Sequence, residues 1–282
     1  MRYVSYYDER GDVRPGLLDD ATVRTIEAPS MREYIALDVA ERAKRVTDRG
    51  RPLAGTRLAA AVAPSRNVFC VGRNYLEHAL EGARALGHDL KLPDVPTFFT
   101  KATTAIADPN ADLHLQARVS PNYDFEAELA VVIGTHCKDV PEDRALDVVF
   151  GYTCLNDMTA RDLQRSHLQW FKGKSLDDTC PIGPWIVGTD EIADPQALDI
   201  AMRVNGIEKQ HSTTAQMIFP VARIIAELSR GMTLLPGDVI ATGTPDGVGF
   251  ARTPPEWLRD GDALDVTIER IGTLHNVVRI AP

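Results

Sequence analysis

The sequence predicts an α+β fold that is mostly β, with a small domain at its N-terminus. Three observations support this prediction. After about residue 67, short apolar segments are separated by turns rich in Gly, Pro and Asp, which is typical of strands. Segments with helical periodicity are fewer. They do not alternate regularly with the strands, as they would in an α/β protein.

The first part of the chain contains the elements of a small separate unit. The predicted elements are a strand at residues 3–7, a turn at 11–16, a helix from about 31 to 45, and a linker at 48–52. Ser30 and Glu33 have the spacing of a capping box, which places the start of the helix after Ser30. We therefore divide the chain into a small N-terminal α+β domain, residues 1–60, and a main domain, residues 61–282.

The main domain is predicted to consist mostly of strands. These are expected at residues 68–71, 97–100, 125–133, 148–155, 185–189, 200–204, 239–242, 263–268 and 277–280. Helices are expected at about residues 75–86, 160–167 and 219–230. The hydrophobic content of 44% supplies ample material for a packed core.

Charge and composition argue against several classes of function. A formal net charge of -9 argues against nucleic acid or an anionic membrane surface as the main partner, although it does not exclude an anionic substrate. No window approaches the roughly 18 consecutive apolar residues of a membrane span, and the charged N-terminus has no apolar segment of signal-peptide length. The cysteines are far apart and form no C-x-x-C pair: Cys70, Cys137, Cys154 and Cys180. We expect buried free thiols and a reducing cytoplasm.

Glu126 and Glu128 are candidate metal ligands. On a strand, alternation places both side chains on one face, and the far end of the segment is apolar on both faces, which predicts a position in the core. Two buried carboxylates repel each other and lose solvation unless a cation joins them, and Mg²⁺ or Mn²⁺ is the simplest such cation. The alternative is a sheet edge with two solvated acids.

Asp157, Arg161 and Gln164 follow the next apolar segment. Asp157 stands where a predicted strand meets a predicted helix, a position that suits a metal ligand or, equally, a helix cap. Arg161 and Gln164 are three apart on that helix and therefore share a face. Together they could bind a carboxylate, since arginine offers a bidentate fork; the alternative is a solvated helix surface.

His78 and Glu81 have i, i+3 spacing on the predicted helix after Gly72. Glu81 can therefore orient and polarise the imidazole, an arrangement that suits a general base acting on water. The alternative is a structural pair. The glycine-rich segment 243–249 lacks the G-K-[ST] ending of a P-loop, so we interpret it as a turn that brings backbone close to a ligand.

The order and spacing of these motifs closely resemble the catalytic domain of the fumarylacetoacetate hydrolase superfamily. The resemblance rests on CVGRNYLEH, DFEAELAVVIG, NDMTARDLQ, KGKSLDDTCPIGPW and GDVIATGTPDGVG, and extends from about residue 67 to the C-terminus. Within the superfamily it includes acylpyruvases, fumarylpyruvate hydrolases and 2-hydroxyhepta-2,4-diene-1,7-dioate isomerases. It implies a mixed β-roll like the C-terminal domain of fumarylacetoacetate hydrolase, usually as a homodimer, with one Mg²⁺ or Mn²⁺ per active site.

By motif position, the resemblance also implies a role for each candidate residue. The implied metal ligands are Glu126, Glu128 and Asp157; the implied catalytic residues are His78, Glu81 and Lys174; the implied substrate-binding residues are Arg161, Gln164 and Thr244, with Arg73 and Tyr75 lining the pocket. Lys174 is preferred to Lys172 because of the family's K-S spacing. None of these positions departs from the family's motifs.

The resemblance implies an enzyme that acts on a small 2-oxo acid through a metal-bound enolate. The preferred reaction is hydrolysis of a C–C bond in an acylpyruvate-type compound, such as fumarylpyruvate, from aromatic catabolism. Oxaloacetate decarboxylase and 2-hydroxy-dienedioate isomerase are alternatives, because one enolate site can support all three outcomes. Two other classes are a binding protein without turnover, which would need no general base, and a metal-free structural homodimer.

Distal specificity is expected to depend on residues 86–94, a polar segment punctuated by Gly and Pro. This segment is predicted to be a mobile lid over the substrate. Two basic residues within it, His88 and Lys91, would favour an acidic distal group on the substrate. The alternative for both is exposed charge on a surface loop.

Overall fold

The structure describes nearly all of the chain. It is a computed structural model that describes residues 1–87, 89 and 92–282. His88 and Lys91 lie outside the described residues, so the prediction that they favour an acidic substrate stays a prediction.

Strands dominate the described chain, as the sequence predicts. The strands are β1 (Arg2–Tyr7), β2 (Val13–Asp19), β3 (Thr22–Ile26), β4 (Val46–Pro52), β5 (Leu58–Ala59), β6 (Val68–Gly72), β7 (Thr97–Lys101), β8 (Ile106–Ala107), β9 (Asp112–Gln116), β10 (Tyr123–Asp124), β11 (Ala127–Ile133), β12 (Val149–Asn156), β13 (Thr159–Ala160), β14 (Cys180–Gly188), β15 (Asp199–Val204), β16 (Ile207–Thr213), β17 (Val239–Ala241), β18 (Ala263–Ile268) and β19 (Gly272–Ala281). The α-helices are α1 (Met31–Ile35), α2 (Val39–Arg45), α3 (Leu76–Leu86), α4 (Arg161–Ser166), α5 (Phe171–Lys174) and α6 (Val221–Ser229). Short 3₁₀ helices occur at Thr103–Ala105, Glu142–Val148, Thr214–Gln216 and Gly249–Ala251.

The strands form two main sheets that pack face to face. The order in the larger sheet is β4-β3-β2-β1-β14-β12-β11-β17-β6-β7, with β5 beside β1 and β8 beside β14. The order in the smaller sheet is β16-β15-β18-β19-β9, and β10 pairs separately with β13. Across the interface β14 lies against β19, β12 against β18 and β11 against β15. Both sheets mix parallel with antiparallel pairs, which confirms the predicted mixed, mostly β architecture.

β11 lies inside the larger sheet and is buried along its whole length. Its side chains alternate between two hydrophobic clusters: Leu129 and Val131 face the smaller sheet, and Ala130 and Val132 face the opposite side. Burial of each Leu or Val stabilises the fold by about 1.5–3 kcal/mol. Glu128 has the same parity as Ala130, so its carboxylate projects to the side away from the smaller sheet.

Two predictions for the N-terminal region are wrong. Residues 11–16, expected as a turn, include the start of β2, and residues 48–52, expected as a linker, belong to β4. The glycines in these segments permit close contact between strands instead of a turn. A Cβ at Gly16 would lie 2.7 Å from Val23 Cγ1, and one at Gly50 would lie equally close to a side-chain carbon of β3.

The predicted helix over residues 31–45 is interrupted. Its capping box is confirmed, because the Ser30 hydroxyl accepts a hydrogen bond from the Glu33 N–H at 3.4 Å. α1 then ends, and α2 begins with a cap of its own, in which the Asp38 carboxylate accepts from the Glu41 N–H at 2.8 Å. The D-x-x-E spacing is therefore a second helix start that the prediction overlooked.

In the main domain each predicted strand and helix is found, with changes in length. The predicted strand at 125–133 begins later, as β11, because the Glu126 N–H donates to the Asn156 side chain at 3.0 Å and not to a backbone carbonyl of β12. β14 and β19 are longer than predicted. The overlooked strands of the main domain are β8, β9, β10, β13 and β16, which are short or largely polar.

The N-terminal strands extend the larger sheet. β1 pairs with β14 in antiparallel fashion, with Arg2 opposite Val187. This pairing does not decide whether the chain divides into domains at residue 60, so that division stays a prediction. Within the described ranges, every helix is too short or too polar to cross a membrane.

Candidate active site

Three buried carboxylates meet where β11 begins and β12 ends. Glu126 precedes β11, Glu128 lies within it, and Asp157 follows β12. Because β11 and β12 are antiparallel with Ala127 opposite Asn156, these positions come together. One carboxylate oxygen from each acid lies within 4.8 Å of the others, and all three side chains are buried. The predicted metal ligands therefore form one cluster, and the alternative of two solvated acids at a sheet edge is wrong.

Lys174 bridges two of the three acids. Its Nζ donates to Glu126 Oε2 at 2.6 Å and to Asp157 Oδ2 at 2.7 Å. The lysine is carried by α5, which packs tightly on α4: a Cβ at Gly173 would lie 2.4 Å from the Gln164 backbone nitrogen. The K-G-K sequence therefore uses glycine for close helix contact, and the buried lysine is Lys174, as predicted.

Arg161 contacts acids as well as the cavity. Its Nε donates to Asp124 Oδ2 at 2.8 Å, and its Nη2 lies 2.7 Å from Glu126 Oε1. Its Nη1 donates to Gln164 Oε1 at 3.2 Å, so the predicted pair is in contact. Both residues line the cavity described below. Their predicted role in binding a substrate carboxylate stays a prediction, and the structure adds a second role for Arg161 in holding Glu126.

Asp124 and Lys101 are site residues that the sequence analysis overlooked. Asp124 is fully buried and, besides Arg161, accepts the N–H groups of Gly249 and Phe250 at 2.7 and 3.0 Å. Lys101 is also fully buried; its Nζ lies 2.9 Å from Asp157 Oδ1 and donates to the Met158 carbonyl. Lys101 is a single polar residue of β7, far from its partners in sequence, so no motif identifies it. Asp124 precedes Glu126 by two residues, so the alternation that pairs Glu126 with Glu128 was a signal that could have identified it.

The pKa values of the clustered acids are shifted in opposite directions by their surroundings. Burial alone would raise the pKa of Glu126, but Lys174 and Arg161 outweigh burial and hold that pKa below its ordinary value. Burial, Asp157 and Glu126 together raise the pKa of Glu128 well above its ordinary value. Burial alone would lower the pKa of Lys174, yet Asp157 and Glu126 raise it, so this ammonium stays protonated.

The residues present fit a hard divalent cation. The donors are carboxylate oxygens only, which Mg²⁺ and Mn²⁺ prefer. Ionised, the buried acids Asp124, Glu126, Glu128 and Asp157 carry a charge of -4, whereas Lys101, Arg161 and Lys174 carry +3, so the cluster has a net charge of -1. Glu128 bears this excess, as its raised pKa indicates. A divalent cation held by Glu126, Glu128 and Asp157 would offset the excess negative charge and leave the cluster with a net charge of +1.

His78 and Glu81 form the predicted pair. His78 Nδ1 lies 2.9 Å from Glu81 Oε1, and Glu81 Oε2 accepts the Gly247 N–H at 2.9 Å. Because Glu81 is a carboxylate acceptor, this contact places the imidazole proton on Nδ1 and leaves Nε2 as an acceptor. His78 lines the same cavity as Glu126 and Glu128, so the pair is not merely a helix-surface contact.

One loop, residues 243–250, contacts each part of the site. The Gly243 N–H donates to Glu128 Oε2 at 2.7 Å, the Gly247 N–H binds Glu81, and the Gly249 and Phe250 N–H groups bind Asp124. Gly247 has a φ of 96°, and a Cβ there would lie 2.1 Å from a backbone oxygen of β16. The turn predicted to bring backbone close to a ligand therefore brings backbone to the candidate site side chains Glu128, Glu81 and Asp124.

Gln210 of β16 fixes Thr244 within this loop. The Gln210 amide nitrogen donates to Thr244 Oγ1 at 2.8 Å and to the Pro245 carbonyl at 2.7 Å, while its oxygen accepts the Ala127 N–H at 2.9 Å. Since Thr244 Oγ1 accepts from Gln210, its own hydroxyl proton is free to point into the cavity that Thr244 lines. Gln210 is not predicted from the sequence, because it lies on β16, a largely polar strand without a clear hydrophobic pattern.

A cavity of about 680 Å³ opens onto the cluster. The predicted residues that line it are Arg73, His78, Glu126, Glu128, Arg161, Gln164, Lys174 and Thr244. Phe99, Trp170 and Phe250 form apolar wall. Asp157 and Tyr75 are buried behind the lining, and the Tyr75 hydroxyl has no hydrogen-bond partner among the described residues. Tyr75 is therefore near the site without lining its cavity.

Two thiols lie beside the carboxylates. Cys70 and Cys180 are completely buried, and burial together with the charges of Asp157 and Glu128 raises the pKa of Cys70. Burial raises the pKa of Cys180 to about 12. Cys154 is also a buried free thiol, as predicted, whereas Cys137 is only partly buried.

Comparison with known proteins agrees with the resemblance seen in the motifs. The family model described as fumarylacetoacetate (FAA) hydrolase C-terminal matches residues 67–279. The chain therefore belongs to the fumarylacetoacetate hydrolase family. The matched region contains all of the predicted site residues.

Relatives within the family carry different activities. The chain is 46% identical over 215 residues to the oxaloacetate tautomerase YisK of Bacillus subtilis, covering 76% of this chain and 70% of that protein. It is 37% identical over 272 residues to the 2,4-didehydro-3-deoxy-L-rhamnonate hydrolase of Sphingomonas sp., covering 95% and 92%. Family membership therefore defines the site without selecting one reaction.

Solved structures share the whole fold. A fumarylacetoacetate hydrolase from Exiguobacterium antarcticum superposes with a TM-score of 0.86 at 40% identity, covering 100% of both chains. A 2-hydroxyhepta-2,4-diene-1,7-dioate isomerase from Mycobacterium marinum superposes with a TM-score of 0.81 at 38% identity, covering 99% of this chain and 98% of that one. The likeness includes the N-terminal strands as well as the main domain.

Proposed function

We propose that this protein is a metal-dependent hydrolase that cleaves a C–C bond in an acylpyruvate-type 2-oxo acid, such as fumarylpyruvate. The observation that carries the proposal is the position of His78, which lines the same cavity as Glu126 and Glu128 and is oriented by Glu81. A hydrolase needs a base that accepts a proton from water, and a free imidazole Nε2 can do so.

Different residues would act at the two ends of the substrate during hydrolysis. Gln164, Thr244 and an outer nitrogen of Arg161 would bind the carboxylate of the 2-oxo acid. His78 would take a proton from water as the water oxygen bonds to the distal carbonyl carbon. The bond from that carbon to C3 then breaks, its electron pair passes to the keto oxygen as an enolate, and the proton on His78 is delivered to C3.

Lys174 would stabilise the negative charge that develops on the keto oxygen, because its ammonium is buried and held in place by two acids. A divalent cation, Mg²⁺ or Mn²⁺, would be held by Glu126, Glu128 and Asp157 and would supply a Lewis acid that favours the enolate. We also propose that the protein works in a reducing cytoplasm, which its four free thiols fit. The proposed acylpyruvate substrate would place the enzyme in aromatic catabolism.

Proton transfer without hydrolysis is a second candidate function. The named activities of the Bacillus tautomerase and the Mycobacterium isomerase favour it. The same His78 that serves water in hydrolysis could take the proton from the 2-hydroxyl group of a 2-hydroxy-2,4-dienedioate and deliver it to C3 or C5, which gives the isomeric 2-oxo-enedioate. Decarboxylation of oxaloacetate requires no such base, since carbon dioxide is the leaving group.

A turnover assay separates these reactions. Acetylpyruvate, fumarylpyruvate and oxaloacetate are tested side by side with Mg²⁺ or Mn²⁺, and again after EDTA. EDTA-sensitive release of pyruvate with the matching acid is the expected result. Carbon dioxide release above the metal-only rate, without acylpyruvate cleavage, would replace the hydrolase with a decarboxylase. Keto–enol interconversion or double-bond migration alone would favour the second candidate.

A further inference from the structure

Two arginines in the outer part of the cavity form no ion pair with an acid of the described chain. The inner cations Arg161 and Lys174 are each in contact with buried carboxylates. Arg73 and Arg165 also line the cavity, but both are exposed, and no described carboxylate lies within 4.0 Å of either guanidinium. Asp89 lines the cavity too, without such a contact. Two guanidinium groups are therefore available to a ligand.

Both arginines lie against aromatic rings of the cavity wall. Arg73 Cζ is 5.6 Å from the centroid of Trp170, and Arg165 Cζ is 5.8 Å from that of Phe250. Such stacking limits the directions that a long side chain can sample while leaving its N–H groups free. The two groups are therefore restrained at the cavity.

The backbone at Arg73 supports a specific placement. Arg73 has a φ of 57°, a left-handed conformation that is unfavourable for a residue with a Cβ. Beside it, Trp170 packs so closely on Gly72 that a Cβ there would lie 2.2 Å from the indole ring. This contact fixes the segment that presents the Arg73 side chain next to Trp170.

The spacing along α4 gives the distance between the inner and outer groups. Arg165 follows Arg161 by four residues, so it lies on the same helix face, about 6 Å further along the axis. Arg161 contacts Glu126 of the carboxylate cluster. A ligand that places its 2-oxo acid end at the cluster therefore needs a chain several carbons long if its far end is to reach Arg165.

We propose that Arg165 and Arg73 form a second anion subsite, which binds the distal carboxylate of a dicarboxylic 2-oxo acid. This rests on the proposed function only in placing the 2-oxo acid end at Glu126, Glu128 and Asp157. The subsite makes the enzyme selective for substrates that carry a carboxylate at both ends, and Arg165 is the main determinant because it shares a helix with Arg161.

A matched pair of ligands tests the subsite by binding. 2-Oxohexanoate and 2-oxohexanedioate have the same chain length and differ only in a methyl or a carboxylate at the far end. Calorimetric titration of the Mn²⁺-loaded protein is expected to give about tenfold tighter binding of the dioate, a preference that weakens with added salt. In R165Q the dioate should lose most of this advantage, and in R73Q a smaller part of it, while binding of the monoacid is little changed.

Arg118→Gln is the matched control, because Arg118 is exposed and outside the cavity. The R118Q variant should prefer the dioate to the monoacid as strongly as the unchanged protein does. Equal binding of both ligands to the unchanged protein, binding of neither, or a preference that survives in the double variant R73Q/R165Q would overturn the subsite. Failure of the proposed hydrolysis is a separate result: absence of acylpyruvate cleavage with an intact dioate preference would remove the reaction and keep the subsite.

Discussion

Glu128 differs from the other two acids of the cluster in its lack of a contacting cation. Lys174 bridges Glu126 and Asp157, and Lys101 lies against Asp157 from a second side. Among the described residues Glu128 accepts a hydrogen bond only from the Gly243 N–H. Its pKa is raised because it is buried beside two other carboxylates. A carboxylate kept in such a position indicates a functional requirement.

Substitution of Glu128 by Gln separates stability from metal binding. An acid whose pKa is higher in the folded than in the unfolded state destabilises the fold at pH values above its unfolded pKa. We therefore expect metal-free E128Q to melt at a higher temperature than the metal-free unchanged protein at pH 7. Its affinity for Mn²⁺ should fall by about tenfold or more.

Scanning calorimetry and Mn²⁺ titration provide the two measurements. Glu77→Gln is a suitable control, because Glu77 is an exposed acid of α3 whose loss should change neither quantity. A lower melting temperature for metal-free E128Q would show that Glu128 stabilises the fold, contrary to this expectation.

Substitution of His78 tests whether this residue is needed for hydrolysis but not for decarboxylation. His78→Ala should reduce acylpyruvate hydrolysis by about 10²–10⁴-fold, because the base that accepts a proton from water is lost. Decarboxylation of oxaloacetate should lose much less. Steady-state kcat on both substrates measures the split, with His136→Ala as the control at an exposed histidine. Equal losses of both activities would show that His78 serves a step common to them.

At the scale of single residues, sequence patterns identified the side chains that stand in short motifs. Glu126 with Glu128, and His78 with Glu81, could be predicted because strand and helix spacing brings each pair to one face. Lys101 and Gln210 could not, since each reaches the site through long-range pairing of strands that no local spacing reveals. Asp124 has the same alternation as Glu126 and Glu128, so it could have been predicted with them.

The loop of residues 243–250 is the element that ties these side chains together. Its N–H groups bind Glu128, Glu81 and Asp124, and Gln210 holds its Thr244. Because backbone groups make most of these contacts, the identity of the loop's side chains matters less than its path. Glycine at 247 is needed for that path, given its positive φ and its contact with β16.

Gln210→Ala should change substrate binding through Thr244. Without the amide, the Thr244 hydroxyl can turn away from the cavity, and the Ala127 N–H next to Glu126 loses its acceptor. We expect KM for the 2-oxo acid to rise about tenfold, with a smaller change in kcat. The matched control is Gln196→Ala, which removes comparable backbone hydrogen bonds outside the site.

Both variants should melt at lower temperature, but only Q210A should raise KM. A rise in KM for Q196A as large as that for Q210A would reduce the role of Gln210 to general stability.

At the scale of elements, periodicity predicted the buried strands and failed where strands are polar. β11 and β12 could be recognised because most of their residues are apolar. β16 has the sequence IEKQHST, which is largely polar because it lies at the edge of the smaller sheet. The prediction of α1 and α2 as one helix failed for another reason: a second capping residue, Asp38, looks like an ordinary acid within a helical segment.

At the scale of the whole molecule, the larger sheet joins the N-terminal region to the site. β1 pairs with β14, which pairs with β12, and β12 leads directly to Asp157. The overall class of fold could be predicted from composition and turn spacing. The shared sheet could not, because pairing between β1 and β14 links residues more than 180 positions apart.

We propose that the protein is a homodimer, and one edge of the larger sheet supports this. β7 is the last strand at that edge, and its Phe98 is 37% exposed. Size-exclusion chromatography with light scattering should give twice the mass of the chain. Phe98→Lys should shift the protein toward the monomer, whereas Val39→Lys, on α2 beside β4, should not. A monomer for the unchanged protein would contradict the proposal.

The buried thiols beside the carboxylates have a practical consequence. An alkylating reagent can reach Cys70 and Cys180 only when the core around Glu128 and Asp157 opens. The rate at which these two thiols are alkylated therefore measures how often that part of the core opens. Cys137 is partly buried and can react without opening of the core, so its alkylation provides an internal reference rate. The molecule thus carries its own reporters of how often its most highly charged interior admits solvent.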